Sequence, residues 1–488
     1  MYQISTVVCG FILPRLILGY YGSGVNGLVN SISNWLHIIA FLELGVGAVV
    51  QSSLYKPLAD KNLELASKIV RSAGRFFTKI AIALLIYIAF LIVFFPLLVN
   101  KEFGHIYTAT LILAISISSF AQYYFGVVDR LLLSADQRGY IQYSAQTITL
   151  ILNTVLCAVL IHFGASIHIV KLTTSIVYLF RPILLRLYVN KKYRLNRKIE
   201  YLEEPIKQKW NGIAQHVAAV VLDQTDIIVL TCLSNMPSVS IYSVYHLVIY
   251  GVKNLFLSLT NGVQSLMGEM LAKNEKKELR DFFNWIEWLL HTGTVFVFGC
   301  TGVLIVPFVK VYTQGVTDAN YIVPLFAALI TIAHASHCLR LPYNILILAA
   351  GHYKQTQWNY IIAAIMNILI SVFTVKLWGL VGVAIGTLCA MFYQTIWMAN
   401  YDSKNILNID LKSFFKHLIV DVLSAAIATG LTFWIPMNNA SYLDWGFLAI
   451  IVSVIWLSVI ILINLIFYKE EITKLRDSIS KRFSIVKK

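Results

Sequence analysis

The sequence predicts an all-α, polytopic membrane protein with about fourteen transmembrane helices: two six-helix lobes related by a parallel repeat, then two further helices. Three observations carry this. The 488 residues are 58% hydrophobic and 13% charged, with a mean hydropathy of +0.72; ordinary soluble domains are roughly a quarter charged. Apolar runs long enough to cross about 30 Å of hydrocarbon as helix recur along the whole chain. The basic residues fall almost entirely into the connections on one side of those runs.

Taken in order, the runs lie near 3–21, 25–50, 80–99, 107–131, 141–163, 167–189, 212–234, 239–266, 285–307, 321–349, 356–377, 379–400, 417–436 and 444–468. The connections after the even-numbered runs, with the C-terminal tail, hold twenty-nine Lys and Arg; the opposite side holds Lys101, Lys310 and Lys376. The positive-inside rule then places both termini in the cytoplasm. The net charge of +15 is thereby explained by topology and by contact with anionic lipid, and nucleic acid is excluded as a partner. The first run can serve as its own insertion signal.

The connections are short, so no extramembrane domain is expected on either side. "KKYRLNRKIEYLEEPIKQKW" (191–210) is the longest charged connection and follows six helices. A shift of 214 residues lays "LLLSADQRGYIQYSAQTITLILN" (131–153) on "ILILAAGHYKQTQWNYIIAAIMN" (345–367), matching Leu132 to Leu346, Ala135 to Ala349, Ile151 to Ile365 and Asn153 to Asn367. The expected organisation is a lobe over 1–190, a basic linker over 191–211, a second lobe over 212–400, two helices over 401–468 and a basic tail over 469–488. Two lobes repeated in parallel commonly enclose a transport cavity. Prolines 14, 96, 182, 307, 324 and 342 are expected to bend helices, and "GLVGVAIGT" (379–387) to permit close packing. The six cysteines, all inside apolar runs and without a C-x-x-C pair, read as buried thiols. Trp35, Trp210, Trp285, Trp288, Trp358, Trp378 and Trp445 read as an interfacial belt.

The charges inside the membrane are the informative residues. Arg186, Lys171, Arg130 and Asp129 lie near run ends, where snorkelling or local pairing accounts for them. Seven lie deeper: Arg15, Glu43, Arg181, Asp223, Asp226, Lys253 and Arg340. An intramembrane charge is expensive, at least about 2.5–3.5 kcal/mol, so these must face a polar cavity or one another. Asp223 and Asp226, at i and i+3, are expected on one helix face. The plain alternative is interhelical ion pairing such as Asp223 with Lys253. The four cations suit an anion, and Arg suits phosphate through its fork of donors. At the shift of 214, Arg15, Asp223 and Lys253 have no charged counterpart, so the repeated scaffold does not require them. His334, His337 and Arg340 follow at i+3; two His without a third ligand do not define a metal site, and none is expected. "GSGVNG" (22–27) reads as a helix connection, not a nucleotide-binding loop.

"GFILPRLILGYYGSGVNGLVNSI" (10–32), "ELGVGAVVQSSLYKPLADKN" (43–62) and "AAGHYKQT…IMNILIS…GLVGVAIGTLCAMFYQTIWMANYDSKNIL" (349–407) together resemble Wzx-type polysaccharide flippases. These belong to the multidrug/oligosaccharidyl-lipid/polysaccharide exporter superfamily. The resemblance implies a MATE-like fold and a transporter rather than an enzyme. It implies export of undecaprenyl-diphosphate-linked oligosaccharide for cell-surface polysaccharide synthesis, by alternating access. It also implies partnership with a polysaccharide polymerase and other assembly proteins. Related lipid II flippases use helix 1 arginines in a cationic cavity, which makes Arg15 the matching residue. Gln394 stands where similar sequences often carry Arg.

The expected diphosphate and cavity site is Arg15, Lys253, Arg340 and Arg181. The expected coupling and gating residues are Glu43, Asp223 and Asp226, answering to H⁺ or Na⁺, with no cofactor. A cation-coupled drug antiporter of the same superfamily is the second reading. A membrane glycosyltransferase or polymerase is the third, opposed by the lack of a long external loop.

Overall fold

The structure is a computed structural model; it describes residues 2–38, 41–193, 195–201, 203–206, 213–260, 262–437 and 439–473, without the side chains of 41–45, 48, 213–216 and 259. Every described element is helical. In chain order they are α1 (Tyr2–His37), α2 (Phe41–Ala59), α3 (Leu63–Leu98), α4 (His105–Ala121), α5 (Val127–Ala135), α6 (Gly139–His162), α7 (Ile167–Lys192), α8 (Ile213–Leu233) and α9 (Met236–Leu259). Then follow α10 (Val263–Ala272), α11 (Lys276–Tyr312), α12 (Pro324–Leu339), α13 (Leu341–Ala349), α14 (Tyr353–Trp378), α15 (Leu380–Asp402), α16 (Lys412–Thr432) and α17 (Tyr442–Phe467). Short π-helical turns join α4 to α5 (Gln122–Gly126) and follow α15 (Ser403–Leu407). Each of the fourteen expected runs falls largely on helix, but, the α4–α5 turn aside, three are divided between two helices: 25–50 between α1 and α2, 239–266 between α9 and α10, and 321–349 between α12 and α13. Among the described residues, eleven spans are long and apolar enough to cross a membrane.

The boundaries follow local chemistry. Asn62 caps α3 by accepting from the Leu65 N–H at 3.0 Å, and Glu64 pairs with Lys68 at 2.7 Å on its first turn. Ser441 caps α17 through the Asp444 N–H at 3.1 Å, with Asp444 in the first turn where the helix dipole favours an anion. The expected connection over 22–27 is not a loop: only Gly22 leaves the helix, with φ 82° and ψ 177°. A left-handed φ is open to glycine without penalty, so one residue suffices for the turn between the first two expected spans. Asp318 caps the restarted helix, accepting from the Ser23 N–H and Oγ–H, both at 2.6 Å.

The chain forms two compact units. The first comprises Met1–Ser243 with Gly315–Ala319, the second Val244–Gln314 with Asn320–Lys488. Residues 213–243 therefore group with the helices that precede them. In the first unit Asn26 donates to Ser240 Oγ at 2.6 Å. The two are 214 residues apart, the offset of the repeat, so helices meet at equivalent positions. In the second unit Trp288, Val420, Val452, Trp456 and Ile460 form a core that seats α16 and α17 on α11. Gly382 and Gly386 allow α15 to approach α14 so closely that an added Cβ would enter Thr374 or Ser371.

Two expectations about side chains are corrected. Cys232 is exposed and Cys389 half-buried, while the other four cysteines are buried; all six are free thiols. A thiol is apolar enough to face lipid, so apolar surroundings do not imply burial. Trp358 and Trp378 are exposed at helix ends, but Trp288 is 3% exposed and donates to Asn464 Oδ1 at 2.7 Å. A buried indole N–H needs such a partner. Trp210 lies outside the described residues.

Candidate functional site

The first unit encloses a cavity of about 320 Å³ between the second half of α1, the α4–α5 junction, α6 and α7. Its charged lining is Arg130, Lys171 and Arg181. Gln122, Gln142, Gln146, Ser118, Ser119 and Thr174 add polar groups, and no described residue of the lining is a carboxylate. The π turn at Gln122–Gly126 inserts one residue into the α4–α5 helix, which places Gln122 on the cavity wall and sets the register of Arg130. Arg181 donates from Nε to Thr149 Oγ1 at 2.6 Å, and its guanidinium lies 3.7 Å from the Tyr178 ring centroid. Stacking on the aromatic face and a neutral acceptor hold the cation without cancelling its charge. The cavity thus gathers three cations and several neutral polar groups, with no described carboxylate among them.

Of the expected site residues, Arg181 lies in this cavity. Arg130 and Lys171, attributed from sequence to their nearness to run ends, line it too. They sit on α5 and α7, and no spacing in the sequence joins them to one another. Asp129 does not pair with its neighbour Arg130. Fully buried, it accepts instead from Arg197 Nη2 at 2.6 Å and Arg186 Nη1 at 3.2 Å. Arg15 is not a lining residue: it is half-buried and its guanidinium folds back along α1, 3.3 Å from where a Cβ on Gly19 would stand.

Asp223 and Asp226 do not share one environment. Asp223 is exposed, whereas Asp226 is 2% exposed and accepts from the Tyr242 hydroxyl at 2.8 Å. The i, i+3 spacing puts them about 60° apart around the helix, enough to cross the edge of a buried face. The side chain of Glu43 lies outside the described residues.

Lys253 and Arg340 come together in the second unit. Lys253 is 3% and Arg340 5% exposed. The helix of the tenth span breaks at Arg340, between α12 and α13. Arg340 donates to Gln394 Oε1, and to His337 Nδ1 at 2.6 Å. Since Arg can only donate, Nδ1 is the acceptor and His337 carries its proton on Nε2. Lys253 acts electrostatically on His334 and His337, and the His246 and His334 rings stand 5.7 Å apart. Gln394, where similar sequences often carry Arg, is here the acceptor that orients Arg340. The two histidines were legible at i+3; the role of His337 as the acceptor for Arg340 was not.

No family model matches the chain, and no curated protein matches it. Among solved structures, the fold is that of the multidrug and lipid-flippase transporters. A lipid II flippase, MurJ, in an inward closed conformation superposes with a TM-score of 0.71 at 18% identity, covering 96% of this chain and 99% of that one. An inward-facing multidrug resistance MATE transporter of the MOP superfamily gives 0.59 at 13% identity over 82% and 95% of the two chains. The eukaryotic MATE transporter AtDTX14 gives 0.62 at 11% identity over 86% and 96%. The chain is thus a polytopic membrane protein with the MATE-like fold.

Proposed function

We propose that the protein is a flippase for undecaprenyl-diphosphate-linked oligosaccharides, moving them across the cytoplasmic membrane by alternating access, with both termini in the cytoplasm. The observation that carries this reading is the first-unit cavity with three cations and no described carboxylate, a chemistry suited to a diphosphate and unsuited to a cationic drug. Support also comes from coverage: the lipid II flippase is matched over nearly its whole length and this chain's, including room for α16 and α17. At about 320 Å³ the cavity is at the small end of ligand sites. It admits a diphosphate and leaves glycan and polyprenyl chain outside it.

In this mechanism Arg181, aimed by Thr149, takes phosphate oxygens through its fork, while Lys171 and Arg130 supply compact and planar charge from the adjoining walls. Lys253 and Arg340 form a second cationic station in the other unit, and Arg15 a contact on α1. Asp223, Asp226 and Glu43 respond to the coupling ion, H⁺ or Na⁺, and bias the inward against the outward state. A polysaccharide polymerase receives the product. Flipping of a labelled lipid-linked oligosaccharide in proteoliposomes tests the reading: Arg181→Ala with Lys171→Ala lowers transport more than tenfold, and unchanged transport overturns it.

The buried Asp226–Tyr242 pair favours a second reading, cation-coupled antiport of a small molecule. That reading predicts drug efflux that follows an imposed ion gradient and tolerates loss of Lys171.

A further inference from the structure

The first unit holds another concave site, sharing no residue with the cavity above. A groove of about 870 Å³ lies between the first half of α3, the α4–α5 junction, the end of α7 and the segment around Arg197–Glu204. Five cations line it: Arg71, Arg75, Lys79, Arg186 and Arg197. Glu204 is the one carboxylate of its described lining, and it accepts from Ser72 Oγ. Asp129, behind the wall, pairs with both Arg186 and Arg197 and offsets one of their two charges. Positive charge therefore remains in excess on the α3 side. The groove is built rather than incidental. Arg71 donates from Nη1 to the Arg197 carbonyl at 3.1 Å, and Arg75 lies 5.2 Å from the Tyr201 ring centroid. The buried Nε–H of Arg71 has no acceptor.

The sequence of α3 says what the groove meets. Arg75 and Lys79 are exposed, and the same stripe continues through Ile82, Ile86, Phe90 and Val93, all more than half exposed. These positions follow one another at three or four residues, so they share one face of the helix. Tyr124 and Phe125, about half exposed, complete the apolar floor. A basic end that passes without interruption into a lipid-facing apolar track fits a molecule with a phosphate head and acyl chains. A free anion would leave the track unused.

We propose that this groove binds an anionic phospholipid of the surrounding membrane. Its phosphodiester sits on Arg71, Arg75 and Lys79, and its chains run along the Ile82–Val93 face. The lipid fastens the Arg197–Glu204 segment to α3. This stands independently of what the protein transports.

The test uses the full chain in uncharged detergent, with lipid binding read by native mass spectrometry. Phosphatidylglycerol is expected to bind at least tenfold more tightly than phosphatidylcholine with the same chains. A basic side chain near an anionic surface contributes about fivefold in affinity. The double variant Arg75→Gln/Lys79→Gln is therefore expected to weaken phosphatidylglycerol about thirtyfold, while Lys276→Gln/Lys277→Gln, exposed outside the groove, leaves it unchanged. Phe125→Ser keeps all five cations and is expected to weaken binding as well, which separates a lipid from a bare anion. Equal binding of the two lipids, or insensitivity to the groove variants, overturns the proposal. Displacement by millimolar inorganic phosphate overturns it in favour of a free-anion site. Displacement by a polyprenyl diphosphate at equal concentration overturns it in favour of the transported lipid.

Discussion

Arg181 gives its Nε–H to Thr149 Oγ1 at 2.6 Å, and this bond between α7 and α6 fixes the direction of the guanidinium. With Nε committed and the Tyr178 ring centroid 3.7 Å from its carbon, the guanidinium is held at the cavity wall. Thr149→Val preserves shape and removes the acceptor. One hydrogen bond to a charged group contributes about 1.5–3 kcal/mol, so transport of lipid-linked oligosaccharide is expected to fall by about ten- to a hundredfold, less than for Arg181→Ala. Thr149→Ser restores it. A Thr149→Val variant with wild-type transport would show that the guanidinium needs no orienting partner.

Asp226 and Tyr242 make a different kind of pair. Both are 2% exposed and joined at 2.8 Å. Asp226→Asn retains an acceptor for the hydroxyl, whereas Asp226→Ala leaves a buried donor without this partner, a loss of about 1–3 kcal/mol. The expected outcome is a near wild-type melting temperature for Asp226→Asn and a lower one for Asp226→Ala. If Asp226 carries the coupling ion, Asp226→Asn also abolishes the dependence of transport on an imposed H⁺ or Na⁺ gradient. Gradient dependence retained in Asp226→Asn would assign the residue to structure alone.

These two pairs show where reading from sequence succeeds and where it stops. Helix existence was legible because about twenty apolar residues have few other uses, but the division of three expected spans, among them the break at Arg340, was not. The first turn was misread: "GSGVNG" has the composition of a loop, but capping by Asp318 lets Ser23–Asn26 stay helical. Arg181 stood out because it lies deep in its run. Lys171 and Arg130 did not, since a cation near a helix end is ordinarily explained by snorkelling. Only the packing of α5, α6 and α7 brings the three to one cavity. Arg15, conspicuous in sequence beside Pro14, is half-buried along its own helix and is not among the residues that line this cavity.

Asp318 and Ser23 are joined by two hydrogen bonds of 2.6 Å, across 295 residues of chain. The carboxylate meets the first N–H and the hydroxyl after the break at Gly22, where the helix dipole is positive. Asp318→Ala removes a cap worth about 0.5–2 kcal/mol and lowers the melting temperature; Asp318→Asn retains most of it. Gly22→Ala is expected to be at least as damaging, because φ 82° strains any residue with a Cβ and the added methyl would meet the Asp318 carboxylate. Combining Asp318→Ala with Gly22→Ala should then cost less than the sum of the two, since they act on one turn.

α11 and α17 meet tightly at Gly299, where the ring of Trp456 fills the space a Cβ would need. Trp456 is 1% exposed, and its Nε1–H donates to Thr432 Oγ1 at 3.2 Å on α16. One glycine therefore decides whether three helices share a core. Overpacking a tight site destabilises by about 1–3 kcal/mol, and an indole is rigid, so Gly299→Ala should lie at the upper end. Trp456→Phe shortens the ring and drops the hydrogen bond to Thr432, weakening the seat by itself while making room for the methyl. The double variant Gly299→Ala/Trp456→Phe is thus expected to melt above Gly299→Ala alone. That rescue, read by thermal unfolding in detergent, distinguishes a steric fault at this contact from a general loss of helix packing. Gly299→Ala with an unchanged melting temperature would mean that α17 does not seat on α11 through Trp456.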